Sequence, residues 1–87
     1  MAYSVTFTPS AEKSLAKLDR SIARRLKPKV LALADSPRPT GCLRLAGHSN
    51  LYRIRVGDYR IVYRIDDPRH MVEITIVAHR REVYRDL

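Results

Sequence analysis

Residues 52–65 have the sequence YRIRVGDYRIVYRI, in which two runs of alternating apolar and polar side chains flank Gly57 and Asp58. Alternation with a period of two is typical of a β-strand that buries one face. Gly57-Asp58 suits a two-residue turn between antiparallel strands. The stretch therefore predicts a β-hairpin. Its core-facing side is predicted to carry Tyr52, Tyr59 and Tyr63.

The opposite side of this hairpin is rich in arginine. Because alternate residues of a strand share a face, one surface is predicted to carry Arg53, Arg55, Arg60 and Arg64. Like charges placed across strands repel, so such a face costs stability unless an anion or an acidic side chain neutralises it. Only Asp58 and Glu73 lie near enough in sequence to help. We predict that this face binds nucleic-acid phosphates, and a solvated face without function is the alternative.

The chain before the hairpin predicts one strand followed by two helices. Residues 3–7 alternate in polarity, as in a half-buried strand. Thr8 and Pro9 suit the N-cap and first position of one helix, and Asp19 suits the N-cap of the next. Pro28 lies inside the second helix and predicts a kink or a restart there. The apolar stripe of the second helix consists of Ile22, Leu26, Val30 and Leu33.

The remaining segments complete the predicted fold. Residues 36–41 are dense in Pro and Gly and predict a connection, and residues 66–70 predict a loop before a last strand. Strict alternation would place on one face of that strand Val72, Ile74, Ile76 and Ala78, and on the other face Glu73, Thr75, Val77 and His79. The expected class is α+β in the order β-α-α-β-β-β, with two N-terminal helices packed on one face of a small, mostly antiparallel sheet. One domain is expected over residues 1–87.

Size and charge narrow the function. The chain has 87 residues, with 17 Lys plus Arg against 9 Asp plus Glu and a net charge of +8. A chain this short buries only about 60% of its unfolded surface, so an enclosed substrate cavity is not expected. An open surface suits a polymeric partner, and the positive charge attracts polyanions. Charge alone does not distinguish DNA, RNA and anionic membrane.

Several features exclude other classes of site. The single Cys42 allows neither an internal disulfide nor a cysteine zinc cluster. The acidic residues are scattered, so we predict no metal site and no cofactor. The sequence has no leader-like N-terminus and nothing near the ~20 apolar residues of a membrane span. We expect a soluble, cytoplasmic protein without a membrane partner.

The run from His79 to Arg85 adds groups that could serve RNA cleavage. It contains the cations Arg80 and Arg81, and two acid/base candidates in His79 and Tyr84. RNA supplies its own nucleophile, the 2′-hydroxyl. A metal-free ribonuclease therefore needs only in-line positioning, a base, an acid and cations that stabilise the charged phosphate.

Four segments together resemble the RelE branch of the RelE/ParE toxin superfamily: Leu43-Arg44, residues 52–55, residues 57–63 and residues 79–84. The resemblance covers nearly the whole chain. It implies a toxin of a type II toxin-antitoxin system that enters the ribosomal A site and cuts messenger RNA there through its 2′-hydroxyl. It also implies a small acidic antitoxin as partner, and binding to operator DNA only as the toxin-antitoxin complex.

The resemblance also implies roles for individual side chains. Arg60 would stabilise the pentavalent phosphate, Arg80 would lie beside the leaving 5′-oxygen, and Tyr84 would orient or activate the nucleophile. Arg53 and Arg55 stand where RelE-type toxins commonly carry lysines. Because arginine holds its proton with a pKa above about 12, neither can act as a base near neutral pH. The base would then be Tyr84 or His79, or catalysis would largely dispense with one.

A second group of cations is predicted to bind the sugar-phosphate backbone of ribosomal RNA. Contacts of this kind carry no information on codon preference. A solvated helix face is the alternative. The group consists of Arg24, Arg25, Lys27 and Lys29 on the second helix and Arg44 after the loop, with Arg64 and Arg81 as further RNA-binding candidates.

Two other functions remain open from the sequence. ParE-type toxins share the fold but act on DNA gyrase, and the presence of Arg60, Arg80 and Tyr84 argues against that function. The chain could alternatively lack catalysis and serve only to bind an antitoxin and assist repression.

Overall fold

The computed structural model describes residues 2–47 and 50–81, which form one five-stranded sheet and two helices. The strands are ordered β1-β5-β4-β3-β2, with β1 and β5 parallel and the other neighbours antiparallel. The elements are β1 (Ser4–Phe7), α1 (Pro9–Ala16), α2 (Arg20–Ala32), β2 (Leu43–Arg44), β3 (Leu51–Val56), β4 (Tyr59–Asp66) and β5 (Met71–His79).

The predicted α+β class is confirmed, with one strand more than predicted. The extra strand is β2, in which Leu43 pairs with Arg53 and Arg44 with Tyr52. Two residues are too few to show an alternating pattern, so this strand has no signal in the sequence. No helix in the described ranges has the length and apolar content needed to cross a membrane.

Both helices begin where the sequence indicates. The Thr8 hydroxyl accepts a hydrogen bond from the Ala11 N–H at 3.1 Å, with Pro9 at the first helical position. Asp19 occupies the N-cap of α2 but forms no side-chain capping bond. The predicted restart at Pro28 is wrong, since α2 continues as one helix through that residue. The core contacts of its apolar stripe outweigh the missing hydrogen bond.

The core lies between the helices and one face of the sheet. Tyr63 is fully buried at its centre, and its hydroxyl donates to the Pro37 carbonyl at 2.7 Å. Burial raises the pKa of the Tyr63 hydroxyl. Tyr52 and Tyr59 are half-buried and pack against the same cluster, as predicted. The buried cluster consists of Ala11, Leu26, Val30, Leu33, Ile54, Ile61, Tyr63, Ile65, Val72, Ile74 and Val77.

A register shift in β5 corrects one prediction. Val62 pairs with Ile76 while Tyr63 pairs with Ile74, so Thr75 is an extra residue between them. The Thr75 hydroxyl donates to the Val62 carbonyl at 3.1 Å. A bulge of this kind reverses the alternation beyond it.

The residues predicted to share one face of β5 are therefore divided between the two sides of the sheet. Val77 joins the core beneath the helices, whereas Ile76 and Ala78 pack on the arginine-bearing side. His79 pairs with Tyr59 and accordingly lies on the helix side of the sheet. Strict alternation fails here because of the bulge. The bulge was not predicted because this part of the sequence has no signal for one, such as a glycine.

An ion-pair cluster attaches the connection after α2 to the rest of the fold. The Arg38 guanidinium donates to both carboxylate oxygens of Asp67, at 2.8 and 3.3 Å, and to the Tyr52 hydroxyl at 3.2 Å. The Tyr3 hydroxyl donates to Asp67 Oδ1 at 2.7 Å. The bonds from Arg38, and then from Tyr3, lower the pKa of Asp67 to about 2.

This cluster predicts a specific dependence of stability on pH. Because the folded pKa of Asp67 is lower than the ordinary value of 3.8, the contribution of this side chain to stability is present above about pH 4 and is lost as the pH falls toward about 2. Denaturant unfolding should show a difference between the protein and its Asp67→Asn variant that shrinks over this range. Arg38→Ala should remove most of the same dependence. A difference that stays equal at both ends of the range would contradict this assignment.

Candidate phosphate-binding site

The side of β3 and β4 that faces away from the helices, called here the arginine face, carries the four predicted arginines. Arg55 pairs directly with Arg60, Arg53 pairs with Val62, and Arg64 pairs with Leu51. Directly paired residues of an antiparallel ladder project to the same side. The structure therefore brings Arg53, Arg55, Arg60 and Arg64 onto one surface.

The four side chains differ in exposure, which the sequence did not indicate. Arg55 and Arg64 are exposed and Arg53 is half-buried, but Arg60 is only 7% exposed. Nη1 of Arg60 donates to the carbonyl oxygens of Gly57 at 3.2 Å and Tyr59 at 3.1 Å. The guanidinium is thus turned back toward its own hairpin turn. Because these bonds fix the guanidinium in advance, it needs little reorganisation when an anion approaches this end of the arginine face.

The arginine face also has an apolar centre. Val62 is fully buried and Leu51 is 8% exposed, and they form a cluster with Leu45, Ile76 and Ala78. Apolar groups lower the local dielectric, which strengthens the attraction between nearby guanidinium groups and an anion. The bulge at Thr75 creates this centre, because it brings Ile76 and Ala78 to this side.

Arg64 forms an ion pair with a carboxylate on the neighbouring strand. Its Nη1 lies 3.0 Å from Oε1 of Glu73, and both side chains are about half exposed. The sequence had indicated Glu73 as one of two acids able to neutralise the face. This pair partly neutralises the arginine face at the end away from the hairpin turn.

The hairpin turn also receives the start of the C-terminal segment. The Arg80 N–H donates to the Asp58 carbonyl at 2.7 Å, and Arg80 and Arg81 are exposed. His79 lies on the helix side, edge-on to Tyr59 with ring centroids 5.5 Å apart, and its Nδ1 accepts from the Arg81 N–H. His79 is therefore not part of the arginine face. The predicted Tyr84 lies outside the described residues.

The second group of cations lies at the surface. All four candidates on α2 are exposed, and so is Arg44 on β2. An open groove of about 610 Å³ separates the C-terminal half of α2 from β3. Its polar lining includes Lys29, Ser36, Thr40, Arg53 and Arg55. Sequence reasoning missed this groove because it depends on how α2 packs against the sheet.

The side chains that could bind a phosphate at this site are arginines, and they are not metal ligands. Within residues 2–47 and 50–81, no three His, Cys, Asp or Glu side chains converge on a position where they could hold a metal ion. In the described part of this surface, guanidinium groups are the charged hydrogen-bond donors that can bind a phosphate.

Comparison with known proteins identifies relatives along almost the whole chain. A family model described as "ParE toxin of type II toxin-antitoxin system, parDE" matches residues 5–84. Toxin RelE of Mycobacterium tuberculosis is 37% identical over 84 residues, covering 95% of this chain and 87% of the relative. The mRNA interferase toxin RelE of Escherichia coli is 32% identical over 90 residues, covering 99% and 94%.

Solved structures show the same architecture. The toxin chain in the intact RelBE toxin-antitoxin complex of Escherichia coli superposes with a TM-score of 0.80 at 30% identity, covering 90% of this chain and 96% of that one. The archaeal RelE-RelB complex from Pyrococcus horikoshii gives a TM-score of 0.80 at 28% identity, covering 92% and 97%.

The Arg64–Glu73 pair predicts how the face responds to a change in charge. Glu73→Gln should leave the stability within about 1 kcal/mol, since half-exposed ion pairs contribute little. It should make the protein elute from heparin at higher salt, because Arg64 then becomes available to an anion. Glu12→Gln, which removes the same charge from the exposed side of α1, is the control. Equal shifts for both variants would mean that total charge, and not the arginine face, determines binding.

Proposed function

This chain belongs to the RelE/ParE superfamily of type II toxin-antitoxin toxins, and we propose that it is an mRNA interferase that cuts messenger RNA in the ribosomal A site. Relatives at 32–37% identity are named RelE toxins, one of them an mRNA interferase. The observation that carries the proposal is the nearly buried Arg60 guanidinium, held at the hairpin end of the arginine face. We expect this activity in the cytoplasm, where ribosomes are found.

The proposed reaction is a transesterification within the RNA. The 2′-hydroxyl loses its proton and attacks the adjacent phosphorus in line, and the bond from phosphorus to the 5′-oxygen breaks as that oxygen gains a proton. The products are a 2′,3′-cyclic phosphate and a 5′-hydroxyl. Negative charge builds on the non-bridging oxygens, so N–H donors fixed beforehand lower the barrier. Arg60 and Arg55 are the candidate donors, and Arg80 would stabilise the leaving 5′-oxygen.

Removal of the 2′-hydroxyl proton is the step that distinguishes this chain from RelE-type toxins with lysines in the site. Arg53 and Arg55 contribute charge alone, because a guanidinium does not lose its proton at neutral pH. Of the two substitute bases, Tyr84 is favoured over His79. His79 lies on the helix side of the sheet, and its Nδ1 already accepts the Arg81 N–H.

The partners proposed for the free toxin are the ribosome and its messenger, and for the neutralised toxin a small acidic antitoxin. Similar structures are RelE-RelB complexes, which supports an antitoxin for this chain too. The net charge of +8 favours an acidic partner. We propose operator DNA binding only for the toxin-antitoxin complex.

Mapping the 5′ ends of messages after induced expression tests the proposed activity. Cuts phased with codons should appear for the unmodified protein. They should fall by about 100-fold or more in Arg80→Ala, which removes charge stabilisation of the leaving group. Arg69→Ala is the matched control, because Arg69 is an exposed arginine in the β4–β5 turn, paired with Asp66 at 3.8 Å.

The alternative function is that of a ParE-type toxin acting on DNA gyrase, since the matching family model bears the name ParE. The same experiment would then give a different outcome. A gyrase toxin would cause DNA damage and leave messages intact. Equal cutting by Arg80→Ala and Arg69→Ala would contradict the role of Arg80 while retaining the enzyme. Intact messages without DNA damage would favour a protein that only binds its antitoxin.

The missing lysines predict an unusual pH profile. Single-turnover cleavage on programmed ribosomes should become faster with rising pH as a tyrosine, with an ordinary pKa of about 10, begins to ionise. Tyr84→Phe should remove that rise. Arg53→Lys or Arg55→Lys should restore a rise at lower pH, because a lysine crowded by cations loses its proton more easily. A flat profile in the unmodified protein would exclude a substitute base.

A further inference from the structure

Arg25 on α2 covers the β3–β4 turn. Its Nη2 lies 2.7 Å from the position that a Cβ on Gly57 would occupy, and its Cζ lies 3.5 Å from it. The carbonyl oxygen of the same glycine accepts a hydrogen bond from Arg60 at 3.2 Å. Two guanidinium groups, one from a helix and one from a strand, therefore flank a single residue, no more than roughly 9 Å apart by standard backbone dimensions.

Lys29 lies one helical turn beyond Arg25 and lines the groove beside β3. Arg53 and Arg55 line the same groove. Pairing between β2 and β3 ends at Leu43 and Arg53, so the outer edge of β3 beyond Arg53 has no strand beside it in the described chain. The cations from α2 thus follow this open edge from the groove to the hairpin turn.

The other two α2 cations point elsewhere. Lys27 lines a separate cleft of about 340 Å³ between the helices, together with Phe7, Leu15 and Leu31. Arg24 is three residues from Lys27, so the helical period places it on that side as well. The four cations grouped together by the sequence accordingly occupy two different faces of α2.

We propose that Arg25 and Lys29, called here the α2 stripe, bind the phosphates of the messenger strand next to the scissile bond and do not bind ribosomal RNA. This inference rests on the proposed function, whose site it extends from the sheet onto α2. Residues four apart on a helix are about 6 Å apart along its axis, a step that suits successive phosphates of one strand.

The charge balance at the hairpin end favours a polyanionic strand. Arg38 pairs with Asp67, Arg64 with Glu73 and Arg69 with Asp66, and each of these three pairs lies away from the turn. None of Arg25, Lys29, Arg55 and Arg80 takes part in such a pair within residues 2–47 and 50–81. A row of cations without carboxylate partners is costly alone and becomes favourable once phosphates lie along it.

Single-turnover cleavage on programmed ribosomes at increasing toxin concentration tests the proposal, because it separates the saturating rate from the half-saturating concentration. Arg25→Ala/Lys29→Ala should lower the saturating rate about tenfold or more, since charged hydrogen bonds to the reacting strand are lost. Lys13→Ala/Lys17→Ala, in the last turn and at the C-cap of α1, removes the same charge at the same spacing and should change the rate less than about twofold. Arg25→Lys/Lys29→Arg keeps both charges and should retain most of the rate.

Arg24→Ala/Lys27→Ala provides the contrast within α2 and should raise the half-saturating concentration, because these cations stay assigned to ribosomal RNA. Thermal unfolding of every variant checks that the fold is retained, which the exposure of all six side chains favours.

The outcomes separate this inference from the function it rests on. Intact messages with the unmodified protein would overturn the proposed function itself. Cleavage by the unmodified protein, with an α2-stripe variant that changes only the half-saturating concentration, would assign the stripe to ribosomal RNA. An unchanged rate and half-saturation, with more antitoxin needed for neutralisation, would assign it to the protein partner. Either of the last two results would overturn the inference while leaving the enzyme in place.

Discussion

Each residue of β3 or β4 that turns toward the helices forces its neighbours toward the other side of the sheet. Ile54, Ile61 and Tyr63 are buried in the core, so the arginines between them must project from the opposite face. A slip of one residue in the pairing would bury the cations and expose the core. The hydrophobic effect therefore fixes the spacing of Arg55 and Arg60 as firmly as it fixes the core itself.

Placing four arginines on one face makes them repel one another. The fold offsets this repulsion at some positions and leaves it at others. Glu73 pairs with Arg64, and backbone carbonyls hold Arg60. Arg55 is exposed and forms no ion pair in the described part of the chain. Under the proposed function, phosphates or an acidic antitoxin would relieve the remaining repulsion on binding, and the same surface would serve both the substrate and the inhibitor.

The sequence was sufficient for features that local chemistry determines. The hairpin, the Thr8 cap and the shared face of the arginines follow from period, turn residues and capping. Other features depend on packing between distant segments. The bulge at Thr75 satisfies a hydroxyl against Val62 and has no local signal, and the path of α2 through Pro28 is decided by core contacts.

The burial of Arg60 and the approach of Arg25 to Gly57 belong to the same group of packing effects. The approach of Arg25 requires α2 to be packed against the finished hairpin, and the burial of Arg60 requires its guanidinium to fold back onto the hairpin turn. A pattern of residues specifies neither. The correction to His79 follows from the bulge, since reversing the alternation after Thr75 moves its ring to the helix side. The sequence thus predicted which arginines share the candidate site, but neither how deeply each is buried nor the proposed extension of the site onto α2.

In the proposed reaction, a cationic surface cleaves RNA through the 2′-hydroxyl of the RNA itself, so the new ends formed on ribosome-bound message have a defined chemical identity. We expect a 2′,3′-cyclic phosphate on the upstream fragment and a 5′-hydroxyl on the downstream one. We expect no cleavage when the attacking 2′-hydroxyl is replaced by hydrogen. A 5′-phosphate, or cleavage that persists at the deoxy position, would contradict the proposed reaction.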